Sequence, residues 1–136
     1  MTQREKLLFK VAVTGDMTPL MGFKYKSKDL NILNSDAKTP LFCAVESQNI
    51  GIVKEYLSMG ANPNENCVNG NTPLHIAFKH KNIMISGMLI AYGAKHVRFN
   101  NDQKRPSDFA DAEMLKKINL RTGDVDLGTG KKVTFR

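Results

Sequence analysis

A set of residues recurs along the chain with a period of 33 positions. Lys38-Thr39-Pro40-Leu41 is followed by Asn71-Thr72-Pro73-Leu74 and then by Lys104-Arg105-Pro106-Ser107. Alanines at 44, 77 and 110 and Gly-Ala pairs at 60–61 and 93–94 keep the same phase. A fixed period of about 20–50 residues is typical of stacked repeats, each of which is one supersecondary unit. We therefore expect a repeat solenoid.

The residues within each period predict two helices. Thr39 and Thr72 stand where a helix N-cap is favoured, and the prolines that follow them suit the first helical position. Apolar residues at helical spacing come next, then a polar break, a second apolar set and a glycine. Asn69-Gly70 predicts a tight turn before the second Thr-Pro. The predicted helices lie near 7–13, 40–47, 50–58, 73–80 and 83–91, with a broken one over 106–120.

Two segments resemble complete ankyrin repeats. They are TPLFCAVESQNIGIVKEYLSMGANPN (39–64) and GNTPLHIAFKHKNIMISGMLIAYGA (70–94). The hallmarks of that family are a TPLH-like opening, a small alanine in the first helix, an IVKxLL-like second helix and a GA(D/N)xN ending. The resemblance extends over roughly residues 4–121 and implies an all-α ankyrin-repeat solenoid of helix–turn–helix units with projecting β-turns. The expected units are 1–35, 36–68, 69–101 and a truncated 102–121, followed by an extended C-terminal tail, 122–136.

The sequence also departs from the family pattern. The histidine of the TPLH opening occurs only at His75, and in the family this histidine joins neighbouring repeats by hydrogen bonds. Pro19 stands inside the expected second helix of the first unit, with Gly22 close by. Because proline clashes with the preceding helical turn, we expect that helix to be short or displaced.

The tail leaves two alternatives open. Val125 and Leu127 would form one arm of a hairpin, Gly128-Thr129-Gly130 the turn, and Val133 with Phe135 the other arm. A frayed terminus is the other alternative, because two isolated strands are only marginally stable. The GTGKK stretch fails as a phosphate loop, because Val125 holds the required glycine position and Lys132 replaces the hydroxyl residue.

No catalytic, metal or cofactor site is expected. His75, His80 and His96 do not cluster with a nucleophile or a pair of carboxylates, and no HExxH or zinc-ligand spacing occurs. Cys43 and Cys67 lack a CxxC spacing and are interpreted as two reduced, buried thiols of an intracellular protein. The start of the chain lacks the long apolar run of a secretory signal, and no stretch approaches the length that crosses a bilayer.

Charge is distributed unevenly. The net charge of +7 divides into +3, −2, +4 and +2 over residues 1–35, 36–68, 69–101 and 102–136. Basic stripes suit a solvated surface, an acidic protein partner or phosphates. Nucleic acid is the least favoured partner, since no aromatic platform or nucleic-acid motif accompanies the lysines.

The resemblance also implies a binding face and a function. In the ankyrin family the turn tips and the exposed side of the first helices form a concave face. Here it would comprise Asp36, Lys38, Glu46, Ser47, Asn69, Asn71, Lys79, His80, Asp102 and Lys104. The expected function is non-catalytic protein binding, as an adaptor or structural subunit of an intracellular assembly that is cytoplasmic or cytoskeleton-associated. The alternative is a free-standing regulator that occludes a partner's surface, and acidic-surface or nucleic-acid binding through the basic patches is more remote.

Overall fold

A computed structural model describes residues 1–128 and 130–135, and its core is helical. The helices are α1 (Gln3–Thr14), α2 (Pro40–Glu46), α3 (Ile50–Ser58), α4 (Pro73–Lys79), α5 (Ile83–Ala91) and α6 (Ala112–Lys117). Short 3-10 turns occur at Thr18–Leu20, Ser27–Leu30, Val68–Gly70 and Pro106–Phe109. The all-α repeat architecture expected from the 33-residue period is confirmed.

Helix starts follow the capping residues in the two central units. The Thr39 hydroxyl accepts a hydrogen bond from the Phe42 N–H at 3.1 Å, and Pro40 then opens α2. In α5 the same role falls to the Asn82 carboxamide, which accepts from Ile85 N–H at 3.0 Å. Each of these bonds satisfies a backbone donor that the helix itself leaves unpaired.

The prediction for α1 was wrong at its N-terminus. The helix begins at Gln3, not near residue 7, because Thr2 and Glu5 form a reciprocal capping box. The Glu5 N–H donates to the Thr2 hydroxyl and the Thr2 N–H donates to the Glu5 carboxylate. The two bonds extend the helix by one turn before its first buried residue, Leu8.

The helices form two layers. The first helices of successive units, α1, α2 and α4, pack side by side, and α3 packs against α5 in the second layer. The buried core runs through both layers without interruption. Its largest fully buried side chains include Tyr56, Phe42, Phe78, Leu41, Leu74, Ile85 and Leu89. Each unit therefore buries its apolar face only against its neighbours, as in other repeat stacks.

The first unit contains no second α-helix. The 3-10 turns Thr18–Leu20 and Ser27–Leu30 take its place, as Pro19 and Gly22 led us to expect. The unit is joined to the next one through one buried and one partly buried polar contact. The Tyr56 hydroxyl of α3 donates to the Leu8 carbonyl at 2.6 Å, and the Asn49 carboxamide donates to the Ala12 carbonyl at 2.7 Å.

The C-terminal tail forms a hairpin that packs on α5. The strands β1 (Val125–Asp126) and β2 (Lys132–Val133) are antiparallel, with Val125 opposite Val133. Val125 is fully buried, whereas Leu127, expected on the same arm, lies beyond β1 and is exposed. Thr129 of the predicted turn lies outside the described residues. Among the described residues of the tail, the two strands pair as the hairpin alternative requires.

Close packing of two glycines brings the tail onto α5. A Cβ at Gly87 would stand 2.6 Å from the Gly123 carbonyl oxygen and 2.6 Å from Val125 Cγ2. Such distances are shorter than real Cβ contacts, so a side chain at Gly87 would displace the tail. Because α5 is apolar on nearly every side, the tail covers a surface that would otherwise face water.

Candidate protein interface

Three turns project from the stack and are built alike. We call them the tips: tip 1 (34–38), tip 2 (67–71) and tip 3 (100–104). Within each tip, the first residue's N–H donates to the last residue's carbonyl, at 2.7–2.9 Å. Asn34 and Asn100 also accept, through their side-chain oxygens, the N–H groups of the residues two and four positions later. This repeated bonding fixes the backbone of the tips.

Each tip requires a left-handed residue at the same position. Ala37, Gly70 and Gln103 have φ of 58°, 73° and 60°. In tip 2 the preceding Asn69 is also left-handed, with φ of 59°. Two consecutive positive φ values match the tight Asn-Gly turn predicted from the sequence.

Tips 2 and 3 are joined directly. The Asn101 N–H donates to the Asn69 carbonyl at 3.0 Å, and the Asn100 carboxamide donates to the Asn71 side-chain oxygen at 2.8 Å. A third bond runs from His75 Nε2 to the Lys104 carbonyl at 2.9 Å. These contacts fix the relative position of the two tips.

The hydrogen bonds of the His75 ring select one tautomer of the neutral imidazole. Its Nδ1 accepts from the Thr72 N–H at 3.0 Å, so its Nε2 carries the proton that is donated to Lys104. Burial lowers the pKa of His75, and the hydrogen bond to the Lys104 carbonyl only partly offsets that effect. His75 therefore has the repeat-joining role that its place in the TPLH opening implies.

Tip 1 lies on the same surface as the end of α2. The Lys38 ammonium pairs with the Glu46 carboxylate at 2.9 Å, and the hydrogen bond to Glu46 raises the pKa of Lys38. Lys38 stands in the tip and Glu46 is the last residue of the helix. A single surface thus contains the tip and the C-terminal end of a first helix.

Most of the residues that form the tips and first-helix ends lie in a stretch of sequence that matches a known family. The family model described as ankyrin repeats (3 copies) matches residues 8–100.

The chain belongs to the ankyrin-repeat family.

Two curated relatives contain similar sequence. The human transient receptor potential cation channel subfamily A member 1 is 41% identical over 63 residues, which are 46% of this chain and 6% of that protein. The inhibitor of apoptosis OPG037 of monkeypox virus is 30% identical over 110 residues, 71% of this chain and 25% of that protein. The chain thus spans at most a quarter of either relative's length. Ankyrin repeats are protein–protein interaction modules and are generally non-catalytic, which is the functional class indicated here.

The ten residues expected on the ankyrin face differ in how free their side chains are. Asp36, Glu46, Ser47, Asn69, Lys79, His80, Asp102 and Lys104 are exposed, and Lys38 and Asn71 are partly buried. Lys38 and Glu46 pair with each other, and Asn71 accepts the bond from Asn100. Lys79 lies in the last turn of α4, and His80 ends that helix. These last two combine exposure with a position at the end of a first helix.

Two exposed apolar residues beside the tips were missed by the sequence reasoning. Leu33 is 47% exposed and precedes tip 1, and Phe99 is 60% exposed and precedes tip 3. The 33-residue period aligns both with Asn66, whose side chain accepts a bond from Arg98 at 3.3 Å. The same period was therefore a signal for them: large apolar residues at a position that is polar in the intervening ankyrin repeat.

The described part of the chain offers little to hold a metal ion. Among residues 1–128 and 130–135, no group of three or more His, Cys, Asp or Glu side chains could bind one. Cys43 and Cys67 are free and buried; burial raises the pKa of Cys43 to about 11 and also raises that of Cys67. Thiols with raised pKa values are poor nucleophiles at neutral pH. Within the same ranges, every helix is too short or too polar to cross a bilayer.

Proposed function

We propose that the chain is an adaptor or structural subunit of an intracellular assembly and that it binds a partner protein through the face formed by the tips and first-helix ends. The observation that carries this proposal is the Lys38–Glu46 ion pair, which joins tip 1 to the end of α2 on one surface. The bonds between tips 2 and 3 support it further, since a preorganised face loses less conformational entropy on binding.

The third unit favours an acidic surface on that partner. Residues 69–101 contain four basic and no acidic side chains. Lys79 and His80 are exposed at the end of α4, and Lys79 is in no ion pair among the described residues. Such charges steer association and are screened by salt. We propose that Lys79 faces acidic groups of the partner.

Leu33 and Phe99 supply apolar anchors at the border of the same face. Interface energy is concentrated in a few large side chains, among which aromatic residues are enriched. Phe99 directly precedes Asn100, which makes four hydrogen bonds within tip 3 and a fifth to Asn71 of tip 2. An exposed ring on so fixed a backbone can be buried by a partner without ordering a loop.

The test uses the protein that copurifies with the tagged chain. We expect Lys79→Glu combined with His80→Ala to lower the association rate by about tenfold or more at low salt. The difference in association rate between the wild type and the double variant should shrink as salt is added. Asn71 is left unchanged because its bond to Asn100 holds the tips together. Surface plasmon resonance against the purified partner measures both effects.

Lys54→Glu is the matched control. Lys54 is exposed on α3, in the second layer. Its substitution changes the charge by the same amount as Lys79→Glu, but at a site away from the proposed face. Circular dichroism and thermal melts establish that both variants stay folded. Equal association rates for wild type, the double variant and the control would contradict the proposed face, as would a preference for duplex DNA over any protein.

A regulator is the second candidate, and the viral relative favours it. That relative is named as an inhibitor of apoptosis. A subunit should copurify in constant stoichiometry with several chains and be lost from cells when they are depleted. A regulator should instead be recovered largely as a free monomer and should reduce its partner's activity when added. Recovery only as a lone monomer with no inhibitory effect contradicts both candidates.

A further inference from the structure

The second layer of helices has a gap at its N-terminal end. The 33-residue period aligns residues 17–25 with α3 and with α5. Only Thr18–Leu20 is helical in that stretch, as a 3-10 turn, because Pro19 and Gly22 oppose an α-helix. On one side α3 packs against α5. On the other side it lacks the equivalent helical neighbour.

A groove of about 430 Å³ opens in this gap. We call it the unit 1 groove, and it is lined by Met17, Leu20, Met21, Phe23, Lys24, Tyr25 and Met59. Met21 is 75% exposed and Phe23 is 46% exposed. Contiguous exposed apolar side chains on a protein surface mark interaction sites, and methionines adapt their shape to a bound group.

The aromatic wall of the groove is held in place from behind. The Arg4 guanidinium lies 4.9 Å from the Tyr25 ring centre and 5.6 Å from that of Phe23. It also donates a hydrogen bond to the Lys24 carbonyl, and the Tyr25 hydroxyl donates to the Arg4 carbonyl at 3.0 Å. These contacts fix the wall in the absence of a ligand, so little reorganisation is needed to bind one.

The segment that lines the groove and the residues that follow it are rich in lysine. Lys24 lines it, Lys26 and Lys28 follow, and none of the three belongs to an ion pair among the described residues. The acidic side chains of residues 1–35 are Glu5, Asp16 and Asp29. Each accepts a backbone N–H at the start of its own helix or turn. The unit keeps a net charge of +3.

We propose that the unit 1 groove binds an acidic segment of a partner protein, whose large apolar side chains enter between Met21 and Phe23 while its carboxylates face Lys24. The apolar floor of the groove lies beside lysines that form no ion pair. It therefore complements a segment that carries both large apolar side chains and carboxylates. The groove belongs to the second layer of the first unit. It is therefore a second binding surface, separate from the face of tips and first-helix ends.

The probe is a short fluorescein-labelled peptide in which Asp and Glu flank a Leu-Phe pair. We expect it to bind the whole chain and to shift the methyl NMR signals of Met17, Met21 and Met59 in protein labelled at the methionine methyl groups. The signals of Met84, Met88 and Met114, which do not line the groove, should not move. A peptide with Lys in place of Asp and Glu, or Ser in place of Leu-Phe, should bind much more weakly.

Met21→Asp combined with Lys24→Glu should weaken binding by about tenfold or more, since one large apolar contact and one attraction are lost. Val97→Asp with Lys95→Glu is the matched control, because Val97 is also an exposed apolar residue and Lys95 an exposed lysine, and both lie in the third unit, away from the groove. Fluorescence anisotropy measures both affinities. Lys79→Glu should leave peptide binding unchanged, so this test fails or succeeds independently of the proposed face.

Three outcomes overturn the proposal. The first is the absence of peptide-dependent shifts at Met17, Met21 and Met59. The second is equal loss of affinity in the groove variant and its control. The third is a dimer, detected by sedimentation at rising protein concentration and abolished by Met21→Asp, because the occupant would then be a second copy of the chain.

Discussion

His75 Nδ1 accepts a hydrogen bond from Thr72, and Nε2 donates one to the Lys104 carbonyl. A proton on Nδ1 would place two hydrogen-bond donors, the Nδ1–H and the Thr72 N–H, in contact. Burial also lowers the pKa of the ring. The unfolded chain therefore binds this proton more readily than the folded one. The contribution to stability is complete above the ordinary pKa of 6.5 and is lost as pH falls through the lower folded value.

We expect His75→Gln to lower the free energy of unfolding by about 1–3 kcal/mol at neutral pH, because buried partners lose their bonds. The difference between wild type and variant should shrink as pH falls below 6.5. Urea melts at several pH values measure it. His80→Gln, at an exposed position, is the control and should follow the wild type. A difference that stays constant with pH would contradict the neutral ring.

Side-chain partners were the part of the candidate site that the sequence could not predict. The period placed Lys38, Glu46 and Asn71 in tips and helix ends, and the structure has them there. Whether the amide of Asn71 or the ammonium of Lys38 is already hydrogen-bonded depends on a residue in another element. Glu46 lies at the end of α2, eight residues after Lys38. Asn100, the partner of Asn71, belongs to the next repeat. No local pattern contains that information.

At the scale of elements, Leu74 of α4 tests the packing between repeats. It is fully buried in the first layer, between α2 and the last unit. Leu74→Ala should lower the free energy of unfolding by about 2–5 kcal/mol through lost burial and a residual cavity. Thr39→Ala, which removes the cap of α2 and a 3.8 Å contact of the Thr39 hydroxyl with Cys67 Sγ, should cost about 1 kcal/mol. Denaturant melts compare them, and equal costs would mean that Leu74 is not a core residue.

The docking of the tail on α5 is tested by a pair of helical glycines. Gly87→Ala should destabilise the protein by about 1–3 kcal/mol, because its Cβ would overlap Gly123 and Val125. Gly51 of α3 has nothing within 4 Å of an added Cβ, so Gly51→Ala should stabilise the protein by up to about 1 kcal/mol. Thermal melts measure both. If Gly87→Ala were as stabilising as Gly51→Ala, the tail would not pack there in solution.

How well each element was predicted depends on whether the residues that determine it lie close together in the sequence. The helices of the two central units were predicted to within one residue, because the cap, proline and apolar spacing that define them lie in one short segment. The tail stayed undecided between a hairpin and a frayed end. Its fold depends on contact with Gly87, more than 30 positions earlier in the chain. The early start of α1 was missed because its capping box precedes the apolar pattern.

For the molecule as a whole, the missing second helix makes the first unit the weakest part of the stack. Each unit is stabilised by its neighbours, so the ends open more easily than the middle. Among the described residues the first unit packs on the second through α1 and has no second α-helix of its own. Amide exchange in α1 and in the 3-10 turn Ser27–Leu30 should accordingly be faster than in α4 and α5.

Tyr56→Phe tests whether that opening is separate from global unfolding. The substitution keeps the ring in the core but removes the bond to the Leu8 carbonyl, at a cost of about 0.5–1.5 kcal/mol. That carbonyl keeps its partner within α1, the N–H four residues later. If the first unit opens by itself, exchange should accelerate in α1, while α4 and α5 keep their protection. Hydrogen exchange measured by NMR or mass spectrometry resolves the two regions. Equal acceleration in α1, α4 and α5 would mean that the stack unfolds as one cooperative unit, and the unit 1 groove would then be as persistent as the rest of the fold.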